Sequence, residues 1–126
     1  MYVGIDIIEI QRIGLTYSRY PVRFLEKIYT TEEQKYCRGR APQLASRFAA
    51  KEAVMKALGT GVRGVGWRDI EVQRQRGRAP EIVLRDRAKV RAEKMGITRI
   101  ALSLSHSRDF AVASVVAQSD GRVFRG

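Results

Sequence analysis

The sequence predicts an α+β fold: one compact domain, residues 1–126, with an antiparallel sheet and one long central helix. Three observations lead to this fold class. An apolar N-terminal run has strand character, a long uninterrupted helical pattern covers residues 43–58, and two alternating segments near the C-terminus are separated by a short turn. The chain has 126 residues, of which 44% are apolar, so it can bury one hydrophobic core.

The chain begins with a predicted strand and helix. Residues 2–8 are expected to form an apolar, buried strand. Residues 9–20 follow as a helix with Ile10 and Ile13 on one face. Pro21 ends this helix, because a proline inside a helix removes a backbone hydrogen bond and collides with the preceding turn.

Capping residues delimit the next two helices. Thr30 and Glu33 have the spacing of a capping box, which predicts a helix running to about Arg38. The strongest helix in the sequence covers residues 43–58, which are rich in alanine and other good helix formers. Gly59 ends it, since glycine readily adopts the left-handed conformation that closes a helix.

The second half of the chain alternates between strands and one charged helix. The helix is predicted from Arg85 to Met95, where Gly96 closes it. The last two strands form an antiparallel hairpin, because only a short turn separates them. The four predicted strands cover residues 69–73, 81–84, 99–105 and 110–117. Residues 118–126 form a tail without a structural assignment. The ends of a chain are often poorly ordered, and we expect this of the tail.

The charge balance predicts an acidic or phosphorylated partner. The chain has 24 Lys and Arg against 13 Asp and Glu, a formal net charge of +11. Such an excess attracts nucleic acid, anionic lipid, an acidic protein or a polyphosphate ligand. Because the basic residues are scattered and form no block or aromatic-basic pattern, charge alone does not choose among these partners.

Two further features indicate a cytoplasmic protein. The N-terminal apolar run, about eight residues long, is too short to cross a membrane and lacks the basic flank of a signal peptide. Cys37 is the only cysteine, so an internal disulfide is excluded. It also has no histidine nearby in the sequence, which argues against a nucleophilic thiol.

Acidic residues occupy positions that call for an explanation. Asp6 and Glu9 lie in the apolar N-terminal run, where a charge removed from water needs a cation, a metal or hydrogen-bond donors. In the long helix, Glu52 and Lys56 share a face because they are one helical turn apart. The ordinary interpretation of that spacing is a surface ion pair, which contributes little to stability.

Other residues suggest contacts with phosphate. Gly59 and Gly61 directly follow the long helix and can bring backbone N–H groups close to an anion. His106, the only histidine, ends a predicted strand and is either a turn residue, a phosphate contact or a proton carrier. A histidine-rich metal site is excluded because there is no second histidine.

These residue types together fit a metal-assisted phosphoryl-type transfer site. Asp6 and Glu52, with Glu9 as a third candidate, supply the few carboxylates that Mg²⁺ takes alongside substrate oxygens. Lys56 adds a cation for the phosphates. The hypothesis explains why acids lie within an apolar run.

Four segments, in this order and spacing, resemble the holo-acyl-carrier-protein synthase family. The resemblance runs from residue 2 to about 117, and its two acidic motifs are highly specific. It implies a 4′-phosphopantetheinyl transferase, which moves the phosphopantetheine arm of coenzyme A to a serine of apo acyl carrier protein and releases adenosine 3′,5′-bisphosphate. The segments are Val3–Ile10, Arg47–Gly61, Trp67–Glu71 and Leu102–His106.

The resemblance also implies an assembly, a metal and catalytic residues. Members of the family are compact α+β homotrimers with active sites between subunits, they use Mg²⁺, and they act in fatty acid biosynthesis. By position, Asp6 and Glu52 match the metal ligands, Glu9 matches a nearby acid that supports them, and Lys56 lies near the pyrophosphate. Asp6, Glu52 and Lys56 are thus the expected catalytic residues. The base that accepts the serine proton is either Glu52 or a metal-bound water.

Further positions correspond to the family's coenzyme A contacts. His106 and Ser107 match residues near the adenosine 3′-phosphate, and Ser107 stands where many relatives carry threonine. Either hydroxyl can donate to phosphate. Arg47, Gly59 and Gly61, together with Lys56, are expected to line the coenzyme A groove.

The positive charge has a counterpart in the family's protein substrate. Arg12, Arg19 and Arg23 match basic positions with which the family docks acidic acyl carrier proteins.

An alternative function is a basic nucleic-acid-binding module without catalysis, but Asp6 and Glu52 would then repel phosphate. In a second alternative, a non-catalytic assembly protein, Asp6 merely pairs with an internal cation. We expect no nucleic-acid or membrane partner.

Overall fold

The computed structural model describes residues 1–75 and 77–120 and has the predicted α+β architecture. None of the helices in these ranges is long and apolar enough to span a membrane. The elements, in chain order, are β1 Tyr2–Glu9, α1 Ile10–Arg19, α2 Pro21–Ile28, α3 Thr31–Cys37, α4 Ala41–Leu58, α5 Gly61–Gly64, a 3₁₀ turn Trp67–Asp69, β2 Ile70–Gln73, β3 Glu81–Leu84, α6 Asp86–Lys94, β4 Ile97–His106 and β5 Phe110–Ser119.

The strands form two antiparallel sheets. The larger sheet has the order β1-β5-β4, and the smaller one pairs β2 with β3. The predicted C-terminal hairpin is confirmed as β4 and β5. Strand β5 continues to Ser119, two residues past its predicted end, while residues 121–126 of the tail lie outside the described residues.

The prediction that β1 is buried was wrong. It pairs with β5 on one side only and is therefore an edge strand, and its alternate side chains face away from the core. Val3, Ile5 and Ile7 are 67%, 63% and 61% exposed. The continuous apolar run thus reflects a strand with apolar residues on both faces, only one of which is covered within the chain.

The long helix α4 is the centre of the fold. It packs against β1 and β5 of the larger sheet, and against α1 and β2. Pro42 lies in its first turn, and Gly59 closes it in the left-handed conformation with φ +70°, as predicted. Side chains around its whole circumference are buried, because the helix is covered on several sides.

Pro21 and the Thr30–Glu33 capping box lie at helix ends as predicted, and Pro21 also starts a further helix. Helix α1 ends at Arg19, but Pro21 also begins α2, a helix that the sequence pattern did not predict. Proline is well suited to a first helical turn, where no backbone N–H is needed. Before α3, the Thr30 hydroxyl accepts from the Glu33 N–H at 3.3 Å and a Glu33 carboxylate oxygen accepts from the Thr30 N–H at 2.8 Å.

A glycine brings β1 into direct contact with α4. A Cβ atom on Gly4 would overlap with the carbonyl oxygen of Ala53 and lie 3.1 Å from the Ala57 nitrogen. Farther along, a Cβ on Gly14 in α1 would lie 3.5 Å from the Cβ of Ala41. The strand and the helix therefore run antiparallel, with their backbones touching at Gly4. Next to this contact, Asp6 of β1 comes close to Glu52 and Lys56 of α4.

Candidate active site

Asp6 and Glu52 line one cavity at the contact between β1 and α4. The cavity has a volume of about 500 Å³, and Glu9 and Arg12 lie along the same wall. Asp6 shares the inward face of β1 with Gly4 because strand side chains alternate. The structure therefore brings the two predicted metal ligands together from residues far apart in the sequence.

Lys56 pairs with Asp6 across the same contact. Its ammonium group donates to a carboxylate oxygen of Asp6 at 3.0 Å and to the carbonyl oxygen of Ile5 at 2.9 Å. Among the described residues, the ion pair of Lys56 is thus with Asp6, and not with Glu52 as its helical spacing suggested. The Lys56 side chain is 54% exposed and that of Asp6 only 16%, so the lysine reaches inward from solvent.

The pKa of Glu52 is raised above its usual range. Burial is the main cause, the negative charge of Asp6 adds to it, and the charges of Lys56 and Arg12 oppose it. A bound divalent cation would offset this cost of charge on Glu52.

The donor set fits Mg²⁺. In residues 1–75 and 77–120, no group of three or more His, Cys, Asp and Glu side chains has the arrangement of a metal site. Mg²⁺ does not need such a group, because it binds through one or two carboxylates and keeps waters or substrate phosphates as its other ligands. Asp6 and Glu52 would hold the ion, and the cavity leaves room for substrate oxygens.

The raised pKa of Glu52 has a consequence for stability. The folded state binds the Glu52 proton more tightly than the unfolded chain, so this carboxyl lowers stability as the pH rises from its unfolded pKa of about 4.3 through its folded pKa. Without metal, Glu52→Gln should therefore melt at a higher temperature than wild type at pH 7, and this difference should shrink towards pH 4. Thermal melts in EDTA measure it, with the exposed Glu9→Gln as control. A lower melting temperature for Glu52→Gln at pH 7 would contradict this account.

Glu9 and Arg12 also line the cavity. Both are exposed, so the expectation that Glu9 is buried was wrong. The positive charge of Arg12 acts on Glu52, which places this arginine beside the acidic pair. Arg19 and Arg23 are exposed on α1 and α2 and do not line this cavity.

His106 and Ser107 lie at the turn between β4 and β5. Both are exposed, and the Ser107 hydroxyl accepts from the Phe110 N–H at 3.2 Å. Phe110 is paired with Glu9, so this turn lies at the end of the sheet where β1 leaves it.

The glycine turn after α4 lies towards the opposite end. Because α4 runs antiparallel to β1, Gly59 and Gly61 lie beyond Gly4 and away from Glu9. Glu9 lies five residue steps along the strand from Gly4, or about 17 Å at 3.4 Å per step. One chain therefore does not bring His106 together with the glycine turn.

Arg47 is buried on another face of α4. Its guanidinium carbon lies 4.3 Å from the centre of the Tyr36 ring, and the residue is only 4% exposed. Within the described part of the chain, its Nη2 atom is buried without a hydrogen-bond partner, as is the hydroxyl of Thr60 in the glycine turn. Buried polar atoms usually have partners, so both atoms have unused hydrogen-bonding capacity.

Sequence reasoning missed several residues that shape the site. Gly4 interrupts an apolar strand, and that is the signal by which a close backbone approach could have been recognised. Lys51 lies in a run of buried helical residues and is itself fully buried. Phe48 lines the cavity and stacks on Trp67 with ring centres 4.9 Å apart.

Cys37 is buried, which raises the pKa of its thiol to about 11 and keeps it protonated at neutral pH.

An antiparallel α+β domain that places two carboxylates in one cavity, with a lysine paired to one of them, is suited to metal-assisted transfer of a phosphorylated group. Residues 2–115 match the family model of the 4′-phosphopantetheinyl transferase superfamily, and the chain belongs to this superfamily. Its activity is the transfer of phosphopantetheine from coenzyme A to apo acyl carrier protein, as the following relatives indicate. The predicted family and enzyme class are thereby confirmed.

Curated relatives and solved structures agree on this activity. The chain is 47% identical over 119 residues to the holo-[acyl-carrier-protein] synthase of Koribacter versatilis, covering 91% of this chain and 95% of the relative. It is 49% identical over 117 residues to that of Gloeobacter violaceus, covering 90% and 89%. The Helicobacter pylori enzyme, solved in complex with coenzyme A, superposes with a TM-score of 0.84 at 33% identity over 92% of this chain and 99% of that one.

Proposed function

We propose that this transferase uses Mg²⁺ held by Asp6 and Glu52 to move the phosphopantetheine arm of coenzyme A to a serine of apo acyl carrier protein, with release of adenosine 3′,5′-bisphosphate. The observation that carries the metal assignment is the shared cavity of these two carboxylates, in which Asp6 contributes to raising the pKa of Glu52. Coenzyme A is a substrate. Two proteins similar to this chain, from Helicobacter pylori and Bacillus anthracis, were solved in complex with coenzyme A, the second as 3′,5′-ADP.

The residues around the cavity divide the chemical tasks. A bound Mg²⁺ supplies positive charge that neutralises the phosphate oxygens. In the transfer, a bond forms between the serine oxygen and the phosphorus of phosphopantetheine while the bond from that phosphorus to the bridging pyrophosphate oxygen breaks. Lys56, half exposed and paired with Asp6, would stabilise the charge that develops on the leaving phosphate. The serine proton goes to Glu52 or to water.

The remaining coenzyme A contacts are proposed for Arg47, Gly59, Gly61, His106 and Ser107. Arg47 is only 4% exposed, so its assignment rests on the resemblance to the family. The exposed His106 and Ser107 are available for a phosphate.

We further propose a homotrimer with active sites between subunits. The coenzyme A residues lie towards opposite ends of one chain, so a second chain is needed to bring them together. The outward face of the larger sheet is also apolar and uncovered, as expected of an interface between copies. Light scattering should give three times the chain mass, and a monomeric mass would contradict the assembly. The exposed apolar residues of this face include Val3, Ile5, Ile7, Phe110 and Val116.

The reaction is tested directly by its mass change. Apo acyl carrier protein incubated with coenzyme A and this enzyme should gain the mass of one phosphopantetheine when Mg²⁺ is present, and should gain none in the presence of a chelator. Intact-mass spectrometry reads both samples. An equal gain after chelation would contradict the metal requirement, and no gain from a folded sample that binds coenzyme A would contradict the acceptor.

The carrier protein is proposed to dock on α1 and α2. Arg12, Arg19 and Arg23 are exposed there, beside the exposed apolar side chains of Leu15 and Val22. Acidic side chains of the carrier would pair with the arginines, and an acidic protein thereby accounts for part of the charge of +11.

Reversing Arg19 and Arg23, the two arginines outside the cavity, to glutamate should raise KM for the carrier protein about 10-fold or more, because charges at an interface rim govern association. The affinity for coenzyme A should stay nearly unchanged. Steady-state kinetics with each substrate varied measure both effects. The matched control reverses Arg78 and Lys89, which are also exposed but lie in the β2–β3 loop and on α6. Equal loss for both substrates, or an equal effect of the control, would contradict the docking site.

A further inference from the structure

Lys51 has an unusual environment for a lysine. Its side chain is completely buried, and its ammonium group contacts three acceptors: a carboxylate oxygen of Glu33 at 2.7 Å, the carbonyl oxygen of Trp67 at 3.0 Å and that of Ile70 at 2.5 Å. A lysine ammonium group has three protons, so its hydrogen-bonding capacity is fully used. Lys51 therefore connects α4 to both α3 and the segment that leads into β2.

Glu33 is fixed as firmly as its partner. One carboxylate oxygen accepts from the Thr30 N–H at 2.8 Å, and the other accepts from the Val72 N–H at 2.8 Å. Its side chain is also completely buried. The ion pair thus joins three elements that are separate in sequence, α3, α4 and β2, at one point in the core.

A buried ion pair is a weak way to gain stability. The cost of removing both charges from water often exceeds their attraction, and well-packed apolar side chains of similar volume can be equally stable. Its directional contacts, however, hold α4 more strictly than apolar packing does, because apolar packing tolerates small rotations.

The orientation of α4 matters because the next residue is Glu52. Side chains extend about 5–6 Å from a helix axis, so a rotation of about 10° moves a carboxylate by about 1 Å. A displacement of about 1 Å in an active site can cost about 10²-fold in rate. Gly4 fixes α4 on the sheet side, and Lys51 holds it from a different face.

We infer that Lys51, through its buried pair with Glu33, is a positioning residue for the transfer reaction, setting the rotation of α4 that places Glu52 at the cavity and Lys56 beside Asp6. This inference rests on the proposed roles of Glu52 and Lys56. Lys51 itself lies on a different face of the helix and lines none of the cavity wall.

The test separates positioning from stability. Lys51→Met leaves the Glu33 charge buried without its partner and should lower the melting temperature strongly. The double variant Lys51→Met/Glu33→Gln removes both charges and should melt at a higher temperature than Lys51→Met. If Lys51 positions α4, the folded double variant should still show a kcat about 10- to 100-fold below wild type, with KM for the carrier protein nearly unchanged.

The matched control removes another ion pair, which lies outside the contacts of Lys51 and Glu33. A carboxylate oxygen of Glu32 accepts from the Lys35 ammonium group at 3.5 Å on the outside of α3, where the two side chains are 71% and 70% exposed. Glu32→Gln/Lys35→Met should leave the melting temperature nearly unchanged and keep kcat within about twofold, because exposed ion pairs contribute little to stability. A double variant at Lys51 and Glu33 with wild-type kcat would overturn the inference, and so would an equal kcat loss in this control.

Two further measurements keep the outcome decisive. If the double variant does not fold, Glu33→Gln alone serves, since Lys51 keeps its two carbonyl acceptors; wild-type kcat in that variant would equally overturn the inference. Mn²⁺ binding, followed by the electron paramagnetic resonance of the free ion, should weaken several-fold in the double variant. If the wild type itself shows neither Mn²⁺ binding nor transfer, the proposed function fails, and not only the inference about Lys51.

Discussion

Asp6→Asn should reduce kcat by about 10²–10³-fold or more while the protein remains folded, and Glu52→Gln should do the same. Each change removes one of the two carboxylates that line the cavity. Losing a single group that stabilises transition-state charge has effects of this size. Transfer measured by intact mass, together with thermal melts of the same samples, gives both quantities.

Glu9→Gln is the matched control for these two variants. It removes the same kind of charge from the same cavity wall, but Glu9 is exposed and lies outside the pair formed by Asp6 and Glu52. Its kcat should fall by much less. Retained activity in Asp6→Asn, or a kcat loss that follows a lower melting temperature in all three variants, would show that these acids serve the fold and not the reaction.

Gly4→Ala should destabilise the protein by about 3 kcal/mol or more, at the upper end of what overpacking costs. The added methyl group would overlap with the backbone carbonyl of Ala53, which cannot rotate away as a flexible side chain can. The strand must therefore move from the helix. Urea unfolding measures the loss, and transfer assays should show reduced activity at temperatures where the variant is still folded, because Asp6 moves with β1.

Gly14→Ala provides a control with the opposite sign. The new Cβ would lie 3.5 Å from the Cβ of Ala41, an ordinary contact, and Gly14 is in the interior of α1. Alanine is favoured over glycine inside a helix by about 0.5–1 kcal/mol, so this variant should be as stable as wild type or more stable. Comparable destabilisation of both variants would show that the close approach at Gly4 is not the cause.

These predictions share one structural basis. The backbones of β1 and α4 touch at Gly4, and the functional side chains extend from both elements just beyond that contact. Lys56 completes the arrangement by bonding both the Asp6 carboxylate and the Ile5 carbonyl of the same strand. The site is therefore set by a strand-helix contact, and small changes in that contact should affect the reaction before they unfold the protein.

The sequence alone determined the local elements and the chemistry of the candidate residues. The Thr30 capping box and the Gly59 helix end are set by interactions between neighbours in the chain, and the structure has both. The proposal that Asp6 and Glu52 hold a metal and that Lys56 contacts phosphates also came from residue types, motifs and spacing.

Only the tertiary structure decided which of these residues meet. An i, i+4 spacing suggested that Lys56 pairs with Glu52, but the fold brings Asp6 to it from a strand 50 residues away. The burial of Lys51, the exposure of Glu9 and the edge position of β1 likewise depend on which elements pack together. The physical reason is that periodicity and capping report interactions within a few residues, whereas burial and long-range ion pairs arise from packing between distant segments.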